Sequence, residues 1–339
     1  MKAILFTKKD TAELVEKEMP SVHAGEVLVK VVISTISSGT ERANLTGEIN
    51  VSYRIEDCKE VVWPRQGGYS TSGIVAEVGE GVSSVVPGDR VAMSWTTHQQ
   101  YVCVPENLVY KLEDEKLTFE EAALWHIGTF PIGAIRKCRL EMGESAIVMG
   151  QGVLGKFAIV FLKAAGAIPV IAADPVAEKR EQALALGADY AFDPTAPDFV
   201  EQVKKVTGGG VNVAIEVTGV GVALNQVLDC MARFGRVALL GCTRHSDFNV
   251  DYYHKVHGPG ITLVGAHTIA RPSVESSAGW WTTRDDVLCE MKMSALGRIN
   301  LSQFVEETHS PAECGEVYAR LARGGAFPMV QFDWRLLED

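Results

Sequence analysis

Residues 148–174 read VMGQGVLGKFAIVFLKAAGAIPVIAAD, and this stretch decides the fold. Gly150, Gly152 and Gly155 give a G-x-G-x-x-G spacing between a strand-like apolar run and a helix-like one. The first glycine permits a tight turn, the second lets backbone approach a pyrophosphate, and the third lets the helix sit close to the strand. Val153 and Leu154 open that helix, whose first N–H groups and positive dipole end suit phosphate. A second strand, IPVIAAD, ends on Asp174, 19 residues beyond Gly155. An acid there is placed to bind the adenosine ribose hydroxyls. It repels a 2′-phosphate, so NAD is favoured, while Lys179 and Arg180 one turn on keep NADP in play. A glycine triplet alone says little; the strand–turn–helix–strand setting gives it meaning.

Working outward, the C-terminal side continues the alternation. EKREQALALG, DYAFDP, VNVAIEVTG, VALNQVLDCMARFG, RVALLG and ITLVGA read as helix, strand, strand, helix, strand and strand. Apolar strands flanked by amphipathic helices predict an α/β, doubly wound parallel sheet. Beyond it, TTRDDVLCEMKMSALG reads as a helix with threonine caps and early acids, PAECGEVYARLARGG as another, and PMVQFDW as a closing strand. On the N-terminal side, before about residue 120, the text changes. EVLVKVVIS, the two halves of GIVAEVGEGVSSVVPGDRVAM, and QQYVCVP are short strands between turn signals, a small β-rich domain.

The chain has 339 residues, enough for about two domains, and 47% of them are apolar. Its 43 acids outweigh 32 bases, for a net charge of −11, with no basic block to suit nucleic acid or an anionic membrane. No apolar run approaches the roughly 20 residues of a membrane span. The opening MKAILFTKKD reads as a strand and turn, not a targeting segment, so a cytoplasmic location is expected. Seven cysteines stand singly at 58, 103, 138, 230, 242, 289 and 314, with no C-x-x-C pair, which fits reduced thiols.

The order of these parts carries a resemblance. GIVAEVGEGVSSVVPGDRVAM, QQYVCVPENLVYKL, EAALWHIGTF, the glycine loop, LGADYAFDP, GGGVNVAIEVTG and RFGRVALLG, in this order, resemble the medium-chain dehydrogenase/reductase superfamily, the zinc alcohol dehydrogenase group. The likeness spans nearly the whole chain. It implies a GroES-like catalytic domain from both termini (1–126 and 272–339), a Rossmann NAD(P)-binding domain between them (127–271), and an active site in the cleft between the two. It also implies that Val217-Thr218-Gly219 and Gly241-Cys242, which end two later strands, flank the ribose and nicotinamide.

The chain departs from the family at the catalytic zinc. Metal-dependent members carry a cysteine in a CGTD-like turn; here the turn is Ser38-Gly39-Thr40-Glu41. They carry GHE where this chain has Gly68-Tyr69-Ser70, and a cysteine or glutamate where His126 falls. Hydroxyls are poor zinc ligands beside thiolate and imidazole, and the four-cysteine structural lobe is missing. The expectation is therefore no zinc. GTER with the tyrosine resembles a branch that includes bacteriochlorophyllide hydroxyethyl dehydrogenases; a related GTE branch acts on sugars and glycosides.

Hydride transfer to nicotinamide without zinc needs a group to move the hydroxyl proton and donors to steady the alkoxide. Thr40 matches the family's relay hydroxyl, and His126 and Tyr69 are the titratable groups at the same spot. Histidine titrates near neutrality and is the first choice of base. Glu41 is either catalytic or an orienting group for Arg42 or a helix end. Ser38, Ser70 and Trp95 are expected to line the substrate pocket, with His98 on a surface turn. In GWWTT the two tryptophans could stack on a sugar, though one buried and one exposed ring is the simpler expectation. His254, Lys255 and His257 in DYYHKVHGPG read as loop or subunit-contact residues.

The expected function is oxidation of a secondary alcohol, or the reverse, on a sugar, glycoside or polyol. A large hydrophobic alcohol or enone, such as a hydroxyethyl tetrapyrrole, and a non-catalytic NAD-binding protein stay open beside it. The apolar ITLVGAH edge strand predicts a homodimer or a tetramer of dimers.

Overall fold

A hairpin opens the chain: β1 (Lys2–Lys8) and β2 (Thr11–Glu16) pair antiparallel around Asp10, whose φ of 58° makes the turn. The computed structural model describes residues 1–49, 51, 60–244, 246 and 248–337; Cys58 lies outside these. Two compact units emerge, Met1–Ile127 with Val287–Asp339, and Gly128–Asp286.

In the first unit the hairpin is followed by β3 (Glu26–Thr35), α1 (Ser38–Leu45), β4 (Ser70–Val78), β5 (Arg90–Ser94), β6 (Tyr101–Pro105), β7 (Val109–Lys111), α2 (Phe119–Ala122) and the start of α3 (Trp125–Lys137). Six of the ten residues of β3 are Val, Ile or Leu, and the strand, paired on both sides, is buried along almost its whole length.

The second unit alternates β8 (Ala146–Met149), α4 (Val153–Ala164), β9 (Val170–Ala173), α5 (Ala177–Ala185), β10 (Tyr190–Phe192), α6 (Phe199–Thr207), β11 (Val211–Glu216), α7 (Gly221–Asp229), β12 (Met231–Leu239) and β13 (Thr262–Gly265). Every pairing in this sheet is parallel, in the order β10-β9-β8-β11-β12-β13. The strands run away from β8 in both directions, so the crevice outside the strand ends falls beside β8, where such sheets bind nucleotides. Ile147, Met149, Ile171, Ala214 and Val237 form the core between sheet and helices.

One element boundary differs from the sequence reading. The helix expected across VALNQVLDCMARFG stops at Asp229, and β12 begins at Met231. Met231 pairs with Val211, Phe234 takes a φ of 63°, and regular pairing resumes at Arg236 with Val213. Sheet pairing there overrides the helical pattern.

The segment 272–286 clusters with the second unit. Asp286, fully buried, accepts from Arg136 Nε at 2.8 Å and Arg271 Nη1 at 2.9 Å. Burial pushes its carboxyl above the usual range, against the pull of the two guanidiniums. Trp281 lies 3.5 Å from the Arg136 guanidinium and Trp280 lies 5.3 Å from Lys137 Nζ, so cations of the same unit take these ring faces. Neither tryptophan is buried, which corrects the expectation of one in and one out.

The chain then returns through α8 (Thr283–Ala295), β14 (Glu307–His309), α9 (Cys314–Arg323) and β15 (Val330–Asp333). Asp285 N–H is capped by Thr282 Oγ1 at 3.1 Å, as the threonine caps predicted. β15 pairs antiparallel with β3, Gln331 opposite Thr35, and gives a seven-stranded sheet ordered β14-β15-β3-β4-β5-β7, with β6 on β3. Phe6, Val29, Val31, Met93, Tyr318, Phe332 and Trp334 meet in one core, so residues from both ends of the chain build this β-rich, GroES-like unit.

Candidate active site

The nucleotide end is built on β8 and α4. Gly155 has no room for a side chain: a Cβ there would lie 2.0 Å from the Gly150 carbonyl oxygen, which is how closely the helix meets the strand. Gly152 differs, with nothing within 4 Å of its missing Cβ, leaving backbone open to a pyrophosphate. No side chain caps α4, so first-turn N–H groups at Val153 and Leu154 stay available to an anion.

Asp174 follows β9 and is buried. Its Oδ2 accepts from Gln151 N–H at 2.8 Å and its Oδ1 from Val176 N–H at 2.9 Å. A carboxylate accepts about four hydrogen bonds, so capacity remains for ribose hydroxyls. Lys179 Nζ stands 3.8 Å from it, whereas Arg180 donates to the carbonyls of Asp174 and Pro175 at 2.8 and 3.0 Å.

Glu216, missed by the sequence reading, ends β11. It accepts the N–H groups of Thr218 at 2.7 Å and Gly219 at 3.1 Å, and the Thr218 hydroxyl. Burial raises its pKa while these bonds lower it. The Glu216 carbonyl takes Gly241 N–H at 2.8 Å, fastening Gly241-Cys242 beside Val217-Thr218-Gly219 at the strand ends. The cradle, the acid and the two loops fit a dinucleotide.

In the first unit, the polar knot at 36–47 contains helix α1, although serine, glycine and threonine are poor helix formers. Glu41 explains it. Its Oε1 reaches back to Ser37 N–H at 2.7 Å, at the helix N-terminus, where an acid also suits the dipole. Its Oε2 accepts from Tyr318 Oη at 2.5 Å and meets His98 Nε2 at 3.1 Å. His98 Nδ1 lies 2.8 Å from Ser34 Oγ, which also accepts the Trp334 indole N–H at 2.9 Å. Burial, then the Glu41 charge, holds the Tyr318 phenol well above its usual pKa, so it stays a donor.

Two sequence expectations are corrected here. His98 is 0% exposed, not on a surface turn, because Ser34 and Glu41 engage both ring nitrogens. Glu41, 1% exposed, holds a helix end as one reading had it, but its side-chain partners are His98 and Tyr318 rather than Arg42.

Tyr69, Trp95 and His126 come together. The His126 ring, at the start of α3, stands edge-on to Tyr69 at 5.4 Å and to Trp95 at 4.6 Å. Trp95 takes a φ of 59°, unusual for a bulky residue, and leaves 43% of its surface exposed. Tyr69 Oη is hydrogen-bonded to Ser37 Oγ, a residue the sequence reading passed over. Thr40 and Ser38 lie half-buried on α1. Ser70 is fully buried and donates to the Ala123 carbonyl at 2.7 Å, so its hydroxyl ties β4 to the end of α2.

The residues at the family's metal positions do not fit zinc. Ser38 and Tyr69 offer neutral hydroxyls and His126 a single imidazole. Among the described residues no group of three or more His, Cys, Asp or Glu side chains is placed to hold a metal.

Fold and glycine loop together define a dinucleotide-binding oxidoreductase. Residues 23–114 match the alcohol dehydrogenase GroES-like domain and residues 153–279 the zinc-binding dehydrogenase family. The L-threonine 3-dehydrogenase of Pyrococcus furiosus is 32% identical over 98% of each chain. The D-guloside 3-dehydrogenase of Escherichia coli is 24% identical over 94% of this chain and 95% of its own. The crystal structure of 2R,3R-butanediol dehydrogenase from Bacillus subtilis superposes with a TM-score of 0.81, at 24% identity, over 98% of this chain and 99% of that one. The chain belongs to the medium-chain dehydrogenase/reductase superfamily, the zinc alcohol dehydrogenase group, and is an NAD(P)-dependent oxidoreductase.

Proposed function

We propose that this protein is an NAD-dependent dehydrogenase that interconverts a secondary alcohol and a ketone on a sugar, glycoside or polyol without catalytic zinc, in the GTE branch of the superfamily. The observation that carries the reading is the Tyr69–Trp95–His126 cluster. It puts a phenol and an imidazole where metal-dependent members keep metal ligands, and sets a half-exposed indole beside them. Aromatic faces pack against the C–H faces of sugar rings, while the hydroxyls bond to groups such as Ser38 and Thr40. The guloside dehydrogenase relative supports a carbohydrate substrate.

In this reading the catalytic half is 1–126 with 272–339 and the nucleotide half is 127–271. Bound NAD supplies the hydride acceptor. Asp174 holds the ribose hydroxyls, Gly150–Gly155 admit the pyrophosphate, and the Val217–Gly219 and Gly241–Cys242 loops flank the nicotinamide side. His126, with Thr40 as its relay, or Tyr69 moves the hydroxyl proton and steadies the alkoxide. The test is a panel of polyols, glycosides and bulky aromatic alcohols followed by NADH absorbance. Turnover of polyols or glycosides supports the proposal. Turnover of the aromatic alcohols alone moves the substrate class, and none on any panel member, with NAD bound, makes this a non-catalytic NAD-binding protein.

A further inference from the structure

The hydrogen-bond network under α1 has one end that structure alone does not use. Three donors converge on the Glu41 carboxylate: Ser37 N–H at 2.7 Å, Tyr318 O–H at 2.5 Å and His98 Nε2–H at 3.1 Å. Trp334 N–H donates to Ser34 Oγ at 2.9 Å, and His98 Nδ1 lies 2.8 Å from the same oxygen.

The open end is the Ser37 side chain. Ser37 occupies the N-cap position of α1, where a serine hydroxyl ordinarily accepts a helix N–H, yet no such bond forms. Glu41 takes over the helix end through the Ser37 backbone, and the Ser37 hydroxyl is turned instead onto Tyr69 Oη. A local rule is broken, and the atom gained is a second hydroxyl behind a phenol that stands against His126. Ser37 is 9% exposed.

We propose that Ser37 is the proton relay behind Tyr69 and that Glu41, fixed by His98 and Tyr318, is the positioning residue that aims it; this rests on the dehydrogenase reading above. In the oxidation, the carbinol hydrogen leaves as hydride to the nicotinamide, and the C–O bond of the substrate becomes a carbonyl. The hydroxyl proton passes to Tyr69 Oη, the phenol hydrogen to Ser37 Oγ, and the serine hydrogen to water. Tyr69 and Ser37 end the step unchanged. Reduction runs the same path backwards.

The test uses the full-length protein with NAD and whichever substrate the panel identifies. Ser37→Ala is expected to lower kcat by about 10²-fold, the lower end of an acid–base contribution, with KM and NADH affinity little changed and the solvent deuterium isotope effect altered. Ser37→Thr, which keeps a hydroxyl, restores most of the rate. Glu41→Gln is expected to lower kcat too, but the double variant with Ser37→Ala is no slower than Ser37→Ala alone, since both act through one hydroxyl. Additive losses overturn the positioning role. An unchanged kcat and isotope effect in Ser37→Ala overturn the relay. Where Ser37→Ala also loses NADH binding, Tyr69→Phe decides, because it cuts the relay and leaves the Ser37–Glu41 backbone bond intact; a normal kcat there overturns the proposal. Failure of the dehydrogenase reading looks different: the unmodified protein binds NAD and turns over nothing.

Discussion

At the scale of single residues, proton transfer and cofactor choice can be tested separately. His126→Ala should lower kcat by about 10²–10⁴-fold if the imidazole moves the proton, with NAD affinity held because the glycine loop belongs to the other unit. Tyr69→Phe abolishing turnover while His126→Ala stays near normal reverses the roles. Asp174→Ser should narrow or reverse the preference for NAD over NADP. The carboxylate also ties Gln151 N–H to Val176 N–H, so some loss for both cofactors is expected on top. Titration of both against the two proteins checks this, and tighter NADP binding by the unmodified protein would sink it. Asp174, His126 and Tyr69 could be singled out as candidates because each sits at a fixed offset from a local motif. Ser37, His98 and Tyr318 were not, because a hydrogen-bond network running from Ser34 to Trp334 leaves no periodic mark in the chain.

Among elements, strands read well and short polar helices badly. β3, β4, β8, β9 and β11 follow from apolar runs between turn residues. Helix α1 carries no apolar periodicity; only Glu41, Ala43 and Leu45 are buried, and its start is held by the Ser37 N–H bond to Glu41, a side chain that His98 and Tyr318 fix from elsewhere in the unit. The early start of β12 was hidden for the same reason. A pH effect belongs at this scale. His309 on β14 bonds Glu307 at 2.9 Å and Glu313 at 3.4 Å, and Glu307, with Glu313 behind it, raises its pKa above 6.5 against burial. The protonated ring is therefore favoured in the folded state. Its stabilising contribution is complete below pH 6.5 and fades as pH rises through the raised value. Melting curves across that range should show His309→Gln less stable than the unmodified protein in acid, with the gap closing toward alkaline pH. A gap independent of pH would count against it.

For the whole molecule, the order of parts was readable, since a β-rich half and a doubly wound half have different periods. The pairing of β15 with β3, about 300 residues apart, was not, because register between distant strands depends on the finished sheet. Two predictions stand at this level. Purified protein should hold no stoichiometric zinc, and chelator should leave turnover unchanged; about one zinc per chain with activity lost on its removal would reverse the reading of Ser38 and Tyr69. β13 pairs only with β12 among the described residues, leaving the other edge of an apolar strand open. A homodimer, or a tetramer of dimers, is expected through that edge, and a monomer by light scattering at micromolar concentration would refute it.

The threading of the first unit from both chain ends also bears on how the protein is born. Tyr318, Phe332 and Trp334 belong to the same core as Phe6 and Val29. On the ribosome the amino-terminal strands emerge first but lack β15 and α9, while the contiguous Gly128–Asp286 segment carries every strand of its own sheet. The usual rule that leading domains fold first is expected to be inverted here. The nucleotide-binding unit is expected to complete its sheet as it emerges, whereas Ile33–Thr35 of β3, already paired with β4 and beside β6, lack their β15 partners until that later strand is made.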